Sequence, residues 1–169
     1  ITGNRRCGKS YLLFTIYRQY LIDNGVKQEQ IIELALDETS NARYRNPIEL
    51  DKYIRSLVSD SSKQYYVFLD EIQKVEEIQN PYVPNSCAKI TFVDTVLGLM
   101  KLPNADIYIT GSNSKMLSSD IVTEFRDRGD EVRMYPLSFS EFYNAYNGEK
   151  SKAWREYYTY GGMPLAVTK

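Results

Sequence analysis

Two glycines bracketing a short polar run, followed at once by Lys and Ser, constrain this chain more than any other feature: Gly3-Asn4-Arg5-Arg6-Cys7-Gly8-Lys9-Ser10. The spacing fits the G-x-x-x-x-G-K-[ST] pattern of a phosphate-cradling P-loop. Gly3 and Gly8 let the backbone curl until successive N–H groups point at one anion. Lys9 then reaches the β- and γ-phosphates, and the Ser10 hydroxyl is placed to ligate Mg²⁺. Such a loop joins a strand to a helix, whose positive N-terminal end adds to the same site. The flanks agree: Ile1-Thr2 reads as the end of a strand, and residues 11–21 as a helix with Leu13, Ile16, Tyr17, Tyr20 and Leu21 on one face. A pattern fixing four positions also arises by chance, and this strand–loop–helix setting argues against chance. The expected nucleotide-contacting set is Gly3, Asn4, Arg5, Arg6, Cys7, Gly8, Lys9, Ser10 and Tyr11.

Only Ile1 and Thr2 precede Gly3, and the first residue is not Met, so the expectation is a piece whose first strand is truncated. With 169 residues, 43% hydrophobic and 25% charged, one ordinary globular core is expected. No apolar run approaches the roughly 18 residues of a membrane span, and no signal peptide is visible. The expected location is cytoplasmic.

Formal net charge is -1 and the pI about 5.6, so no global basic field advertises nucleic acid. Two cysteines, Cys7 and Cys87, are too few for a disulfide scaffold. The chain contains no His, which excludes Ser-His-Asp, Cys-His and His-metal mechanisms within it. Chemistry here must run on carboxylates, Lys, Arg, hydroxyls and a bound metal ion.

Strand and helix signals alternate along the chain. Residues 31–36, 65–69, 107–110 and 132–137 read as strands, and residues 65–69 are the strongest, continuous and aromatic or β-branched as in a strand buried on both faces. Asn46-Pro47 opens a helix with an apolar stripe of Leu50, Tyr53, Ile54, Leu57 and Val58. Residues 90–100, 140–145 and 152–160 read as further helices, and 80–85, with two prolines, as an exposed loop. The implied class is α/β: three layers, a parallel sheet of about five strands and helices on both faces.

The strongest strand ends in Leu69-Asp70-Glu71, the shape of a Walker B segment. Asp70 is placed to hold the Mg²⁺ that Ser10 ligates, and Glu71 to orient and deprotonate the attacking water. An Asp-Glu pair also commonly ends a strand in solvent; its position downstream of a P-loop makes hydrolysis the expectation. Thr110-Gly111-Ser112-Asn113 follows the next buried strand, at the edge where parallel sheets bind ligands. Two readings stay open for Thr110, Ser112 and Asn113: a hydrogen bond to the γ-phosphate or lytic water, or a helix cap.

The segments I-T-G-N-R-R-C-G-K-S, Y-Y-V-F-L-D-E-I-Q, I-Y-I-T-G-S-N-S-K-M-L-S, V-R-M-Y-P-L-S-F-S-E-F and Y-G-G-M-P occur in this order. Together they resemble the prokaryotic AAA-type ATPases, usually known only as ATP-binding proteins, in which an ATPase core precedes an uncharacterised C-terminal domain. The resemblance covers essentially the whole chain. It implies the additional-strand P-loop branch, with sheet order 5-1-4-3-2, a core over residues 1–145, and a helical lid or linker starting at 146–169. It also implies an arginine near the γ-phosphate, in cis or across a subunit boundary, with Arg126 and Arg128 as the candidates. Against that, Asp127, Asp130 and Glu131 offer either arginine a surface ion pair. Gly162-Met163-Pro164 resembles the G-x-P segment of STAND-class ATPases, where the proline packs on adenine; a plain helix stop is the other reading.

The expected activity is Mg²⁺-dependent ATP hydrolysis driving a conformational switch or motor, with ATP and Mg²⁺ as cofactors. Partners are the chain's own C-terminal domain or another protein, no membrane, with oligomerisation open. A nucleic-acid-handling helper on the same core is the alternative, and a small-molecule kinase a more distant one. No guanine-reading N-K-x-D segment occurs, which favours adenine only by omission.

Overall fold

Alternating side chains along Tyr65–Asp70 set the architecture. In the computed structural model, which describes residues 1–83, 87–111, 125 and 128–166, this strand (β3) sends Tyr65, Val67 and Leu69 to one face and Tyr66 and Phe68 to the other. Both faces are covered, as its unbroken apolar run requires. Ile31–Ala35 (β2) pairs with β3 in parallel, Leu34 opposite Leu69, and Ala105–Ile109 (β6) pairs in parallel on its other side, Leu69 opposite Ile109.

A second parallel ladder joins Thr2–Gly3 (β1) to Arg133–Met134 (β7). The Ile1 nitrogen donates to Ile109 O at 2.6 Å, which ties β1 to the end of β6. β1 thus runs out at the edge where β3 and β6 end, and the loop after Gly3 opens there.

On one face of the sheet lies the helix formed by residues 9–23 (α1), whose middle, Leu12–Tyr17, is wound as a π-helix. Its Leu13 and Leu21 bury against Ile31 and Phe68, with Phe14 and Tyr17 alongside. The other face carries Pro47–Leu57 (α2) and Phe92–Leu99 (α3), whose Leu50, Ile54, Phe92, Val96 and Leu99 pack on Ile32, Leu34, Val67 and Leu69. α2 starts where Asn46 Oδ1 accepts from the N–H groups of Ile48 and Glu49, with Pro47 at the first helical position. Thr91 and Asp94 form a reciprocal capping box on α3.

Three details depart from the sequence reading. Residues 80–83 are the turn of a short antiparallel hairpin, Ile78–Gln79 (β4) with Lys89–Ile90 (β5), so α3 begins after Ile90. The last strand is confined to Arg133–Met134, within the wider span expected. Residues 39–45 wind as a 3₁₀ helix that the sequence pattern does not signal.

Past β7, Phe139–Ala145 (α4) and Lys150–Tyr160 (α5) pack through aromatic rings, Phe142 on Tyr157 at 5.4 Å and Phe139 edge-on to Trp154 at 4.8 Å. Gly161, at φ 75°, ends α5, as its glycine pair implies.

Candidate functional site

The loop between β1 and α1 is built on two left-handed glycines. Gly3 has φ 144°, and a Cβ there would lie 2.3 Å from Met134 O, so the β7 backbone admits only glycine. Gly8 has φ 97° and caps the start of α1, whose Leu12 N–H bonds Gly8 O at 2.8 Å. Arg6, at φ 66°, is left-handed without being glycine. The other such residue among those described is Glu71, at φ 53°. Each costs about 1–3 kcal/mol, and strain of this kind is retained mainly at functional positions.

Lys9 is buried at the first residue of α1. Its ammonium donates to Gly3 O at 3.0 Å and Asn4 O at 2.8 Å and lies 4.0 Å from Cys7 Sγ. The Cys7 side chain fills the space beneath the loop and is 2% exposed. Ser10, Arg5, Arg6 and Tyr11 are exposed, so the loop offers a hydroxyl and two guanidiniums to solvent around a buried amine.

Across the sheet edge, Asp70 ends β3 and is 7% exposed. One of its oxygens, Oδ1, accepts both from the Glu71 N–H at 3.0 Å and from the Thr110 hydroxyl. Thr110 is fully buried at the end of β6. Its N–H donates to Leu69 O at 2.8 Å and its carbonyl accepts from Ile72 N–H at 3.2 Å. The Glu71 carboxylate accepts from the Gln73 amide, on the 3₁₀ turn Ile72–Lys74. Neither the Thr110–Asp70 contact nor the role of Gln73 is apparent in the sequence. The first depends on cross-strand register, and the second on the 3₁₀ turn that brings Gln73 back to Glu71.

A hydroxyl and one carboxylate, both oxygen, match a small hard cation that takes one or two protein oxygens beside substrate phosphates and keeps several waters. Ser10 is accessible and Asp70 retains Oδ2, so these residues fit the ion.

Pro164, which the G-x-P resemblance assigns to adenine, lies beside Gly8 of the loop. Its Cγ and Met134 Cε both lie 3.8 Å from the point a Gly8 Cβ would occupy. The segment carrying it is pinned: Leu137 N–H donates to Gly162 O at 2.6 Å, and a Gly162 Cβ would meet Leu137 O at 1.9 Å. Tyr157 of α5 also donates its hydroxyl to Leu137 O, at 3.0 Å. Arg128 is exposed. Glu131, offered by the sequence as an ion-pair partner for the arginines, accepts from the Thr2 hydroxyl at 2.5 Å. Ser112, Asn113 and Arg126 lie outside the described residues.

Among the described residues, no helix is long and apolar enough to cross a membrane. Residues 1–143 match the family described as AAA domain, which is a family of P-loop ATPases with an α/β fold. An uncharacterised protein of Haemophilus influenzae is 34% identical over 99% of this chain, and one of Methanocaldococcus jannaschii is 29% identical over 97%. The chain spans only 39% and 35% of the length of those relatives. With the match running from the first residue into α4, the chain belongs to the AAA domain family.

Proposed function

We propose that this chain is an Mg²⁺-dependent ATPase core that uses hydrolysis as a conformational switch or motor. The observation that carries the reading is a convergence at one sheet edge. A left-handed glycine loop with a buried lysine opens where β1 ends, beside a buried Asp70 followed by a strained Glu71. Anion-binding amides and a metal-ligating carboxylate thus share one rim, as phosphoryl transfer to water requires.

Each residue has a task in this account. The N–H groups over residues 3–10 surround the β- and γ-phosphates, and Lys9 exchanges its bonds to Gly3 O and Asn4 O for phosphate oxygens. Ser10 and the free oxygen of Asp70 are the donors for Mg²⁺, which when bound neutralises charge on the β- and γ-phosphate oxygens. Glu71 orients the lytic water and takes its proton. Asn113 contacts the γ-phosphate, and Arg126 or Arg128 meets it in cis or from a neighbouring subunit.

Pro164 takes adenine, a reading supported by its closeness to Gly8. The Ile1–Ile109 bond supports one continuous sheet in the order 5-1-4-3-2. Residues 1–145 form the core and 146–169 begin a lid or linker to a C-terminal domain, in a cytoplasmic protein.

Equilibrium ATP binding and phosphate release in the full-length protein test the reading. Lys9→Ala removes charge-assisted bonds worth about 2 kcal/mol, so ATP affinity should fall more than about tenfold. ATP affinity unchanged in Lys9→Ala would sink the proposal.

A further inference from the structure

The sequence leaves Thr110 between two tasks, a bond to the γ-phosphate and a helix cap; the structure gives its hydroxyl a third partner. We infer that Thr110 is a positioning residue for Asp70, working on the metal side of the site and not on the phosphate side. The inference rests on the ATPase reading above.

A hydroxyl carries one hydrogen. That of Thr110 is donated to Asp70 Oδ1, so only lone pairs remain, and lone pairs repel phosphate oxygens. Turning the hydroxyl elsewhere is costly. The side chain is β-branched and fully buried. The backbone of Thr110 is held on both sides, by Leu69 O at 2.8 Å and Ile72 N–H at 3.2 Å.

The consequence for Asp70 is geometric. Oδ1 receives two hydrogens, from Thr110 and from the Glu71 N–H at 3.0 Å. Rotation of the carboxylate about its last bond would break both. Oδ2 is therefore the oxygen presented to a cation, in a fixed direction. Charge-assisted bonds of this type are about twice as strong as neutral ones, and removal of such an outer partner typically costs about 10–100-fold in metal affinity. Because Glu71 N–H shares the same oxygen, the hydroxyl also steadies the strained peptide that carries Glu71.

The test is Thr110→Val, which keeps the shape and removes the donor, with Thr110→Ser as the conservative rescue. Mn²⁺ binding is followed by electron paramagnetic resonance in the full-length protein with a non-hydrolysable ATP analogue, and analogue binding is measured separately in EDTA. Thr110→Val should weaken Mn²⁺ binding by about tenfold or more, leave analogue affinity in EDTA unchanged, and be rescued by Thr110→Ser. In an Asp70→Asn background, Thr110→Val should add nothing further for the metal. Should Thr110→Val fail to fold, Thr110→Ala is read by the same comparison.

Unchanged Mn²⁺ affinity in the valine variant overturns the inference alone, as does a loss confined to metal-free analogue binding, which would return the hydroxyl to the phosphate. Wild-type protein that binds no analogue with or without metal overturns the ATPase reading, and the inference with it.

Discussion

Lys9 is held by the loop it serves. Its ammonium is satisfied by Gly3 O and Asn4 O, so the loop is curled around a buried cation; in the proposed account phosphate oxygens replace those carbonyls. The glycines are demanded by contact as much as by conformation. Gly162 is the clean case, since a Cβ there would sit 1.9 Å from Leu137 O and the segment cannot retreat without breaking the Leu137 N–H bond to Gly162 O. Gly162→Ala should destabilise by about 2 kcal/mol or more, lowering the melting temperature by about 4–8 °C in a domain of this size. A melting temperature equal to wild type would mean that Gly162 is not tied to Leu137. Because Pro164 follows two residues later and approaches Gly8, the same variant should also weaken ATP binding.

At the scale of elements, β2 and α1 meet through an ion pair whose balance is adverse. Glu33 lies 3.2 Å from Arg18 Nε, yet burial pushes its carboxyl above the ordinary carboxylate range, more than the arginine pulls it down. The sign follows from linkage: a raised folded pKa leaves stability complete below the unfolded value and erodes it as pH rises through the folded one. Glu33→Gln should therefore flatten the decline in melting temperature as pH rises from acid toward neutral; an unaltered pH profile would remove Glu33 as its source. The start of α2 depends on a different bond. Asn46 Oδ1 satisfies two helix N–H groups, and Asn46→Ala should cost about 1 kcal/mol, read as a small drop in denaturation midpoint at constant slope. Asn46-Pro47 was legible because capping is local. The β4–β5 hairpin was not, because its strands are two residues each, Ile78–Gln79 and Lys89–Ile90, too short for alternation to register, and Pro81 between them reads as loop.

Over the whole molecule, what binds the site is carried by the ends of three strands, so occupancy should stiffen the entire fold. ATP with Mg²⁺ at about 100 times its dissociation constant should stabilise by about 2.7 kcal/mol, or about 5–11 °C, and Lys9→Ala should lose most of that shift. A shift equal to wild type would place the ligand elsewhere. The sequence made the P-loop and the Asp70-Glu71 edge legible because both are contiguous patterns with fixed chemistry. It was silent on Thr110 against Asp70 and on Gln73 against Glu71, because these contacts arise from register and from a 3₁₀ turn. The central claim is that this rim hydrolyses ATP with Glu71 as the base, and phosphate release by Glu71→Gln in the full-length protein tests it most directly. The account predicts retained ATP binding and turnover lower by about 100-fold or more; turnover at the wild-type rate would contradict it.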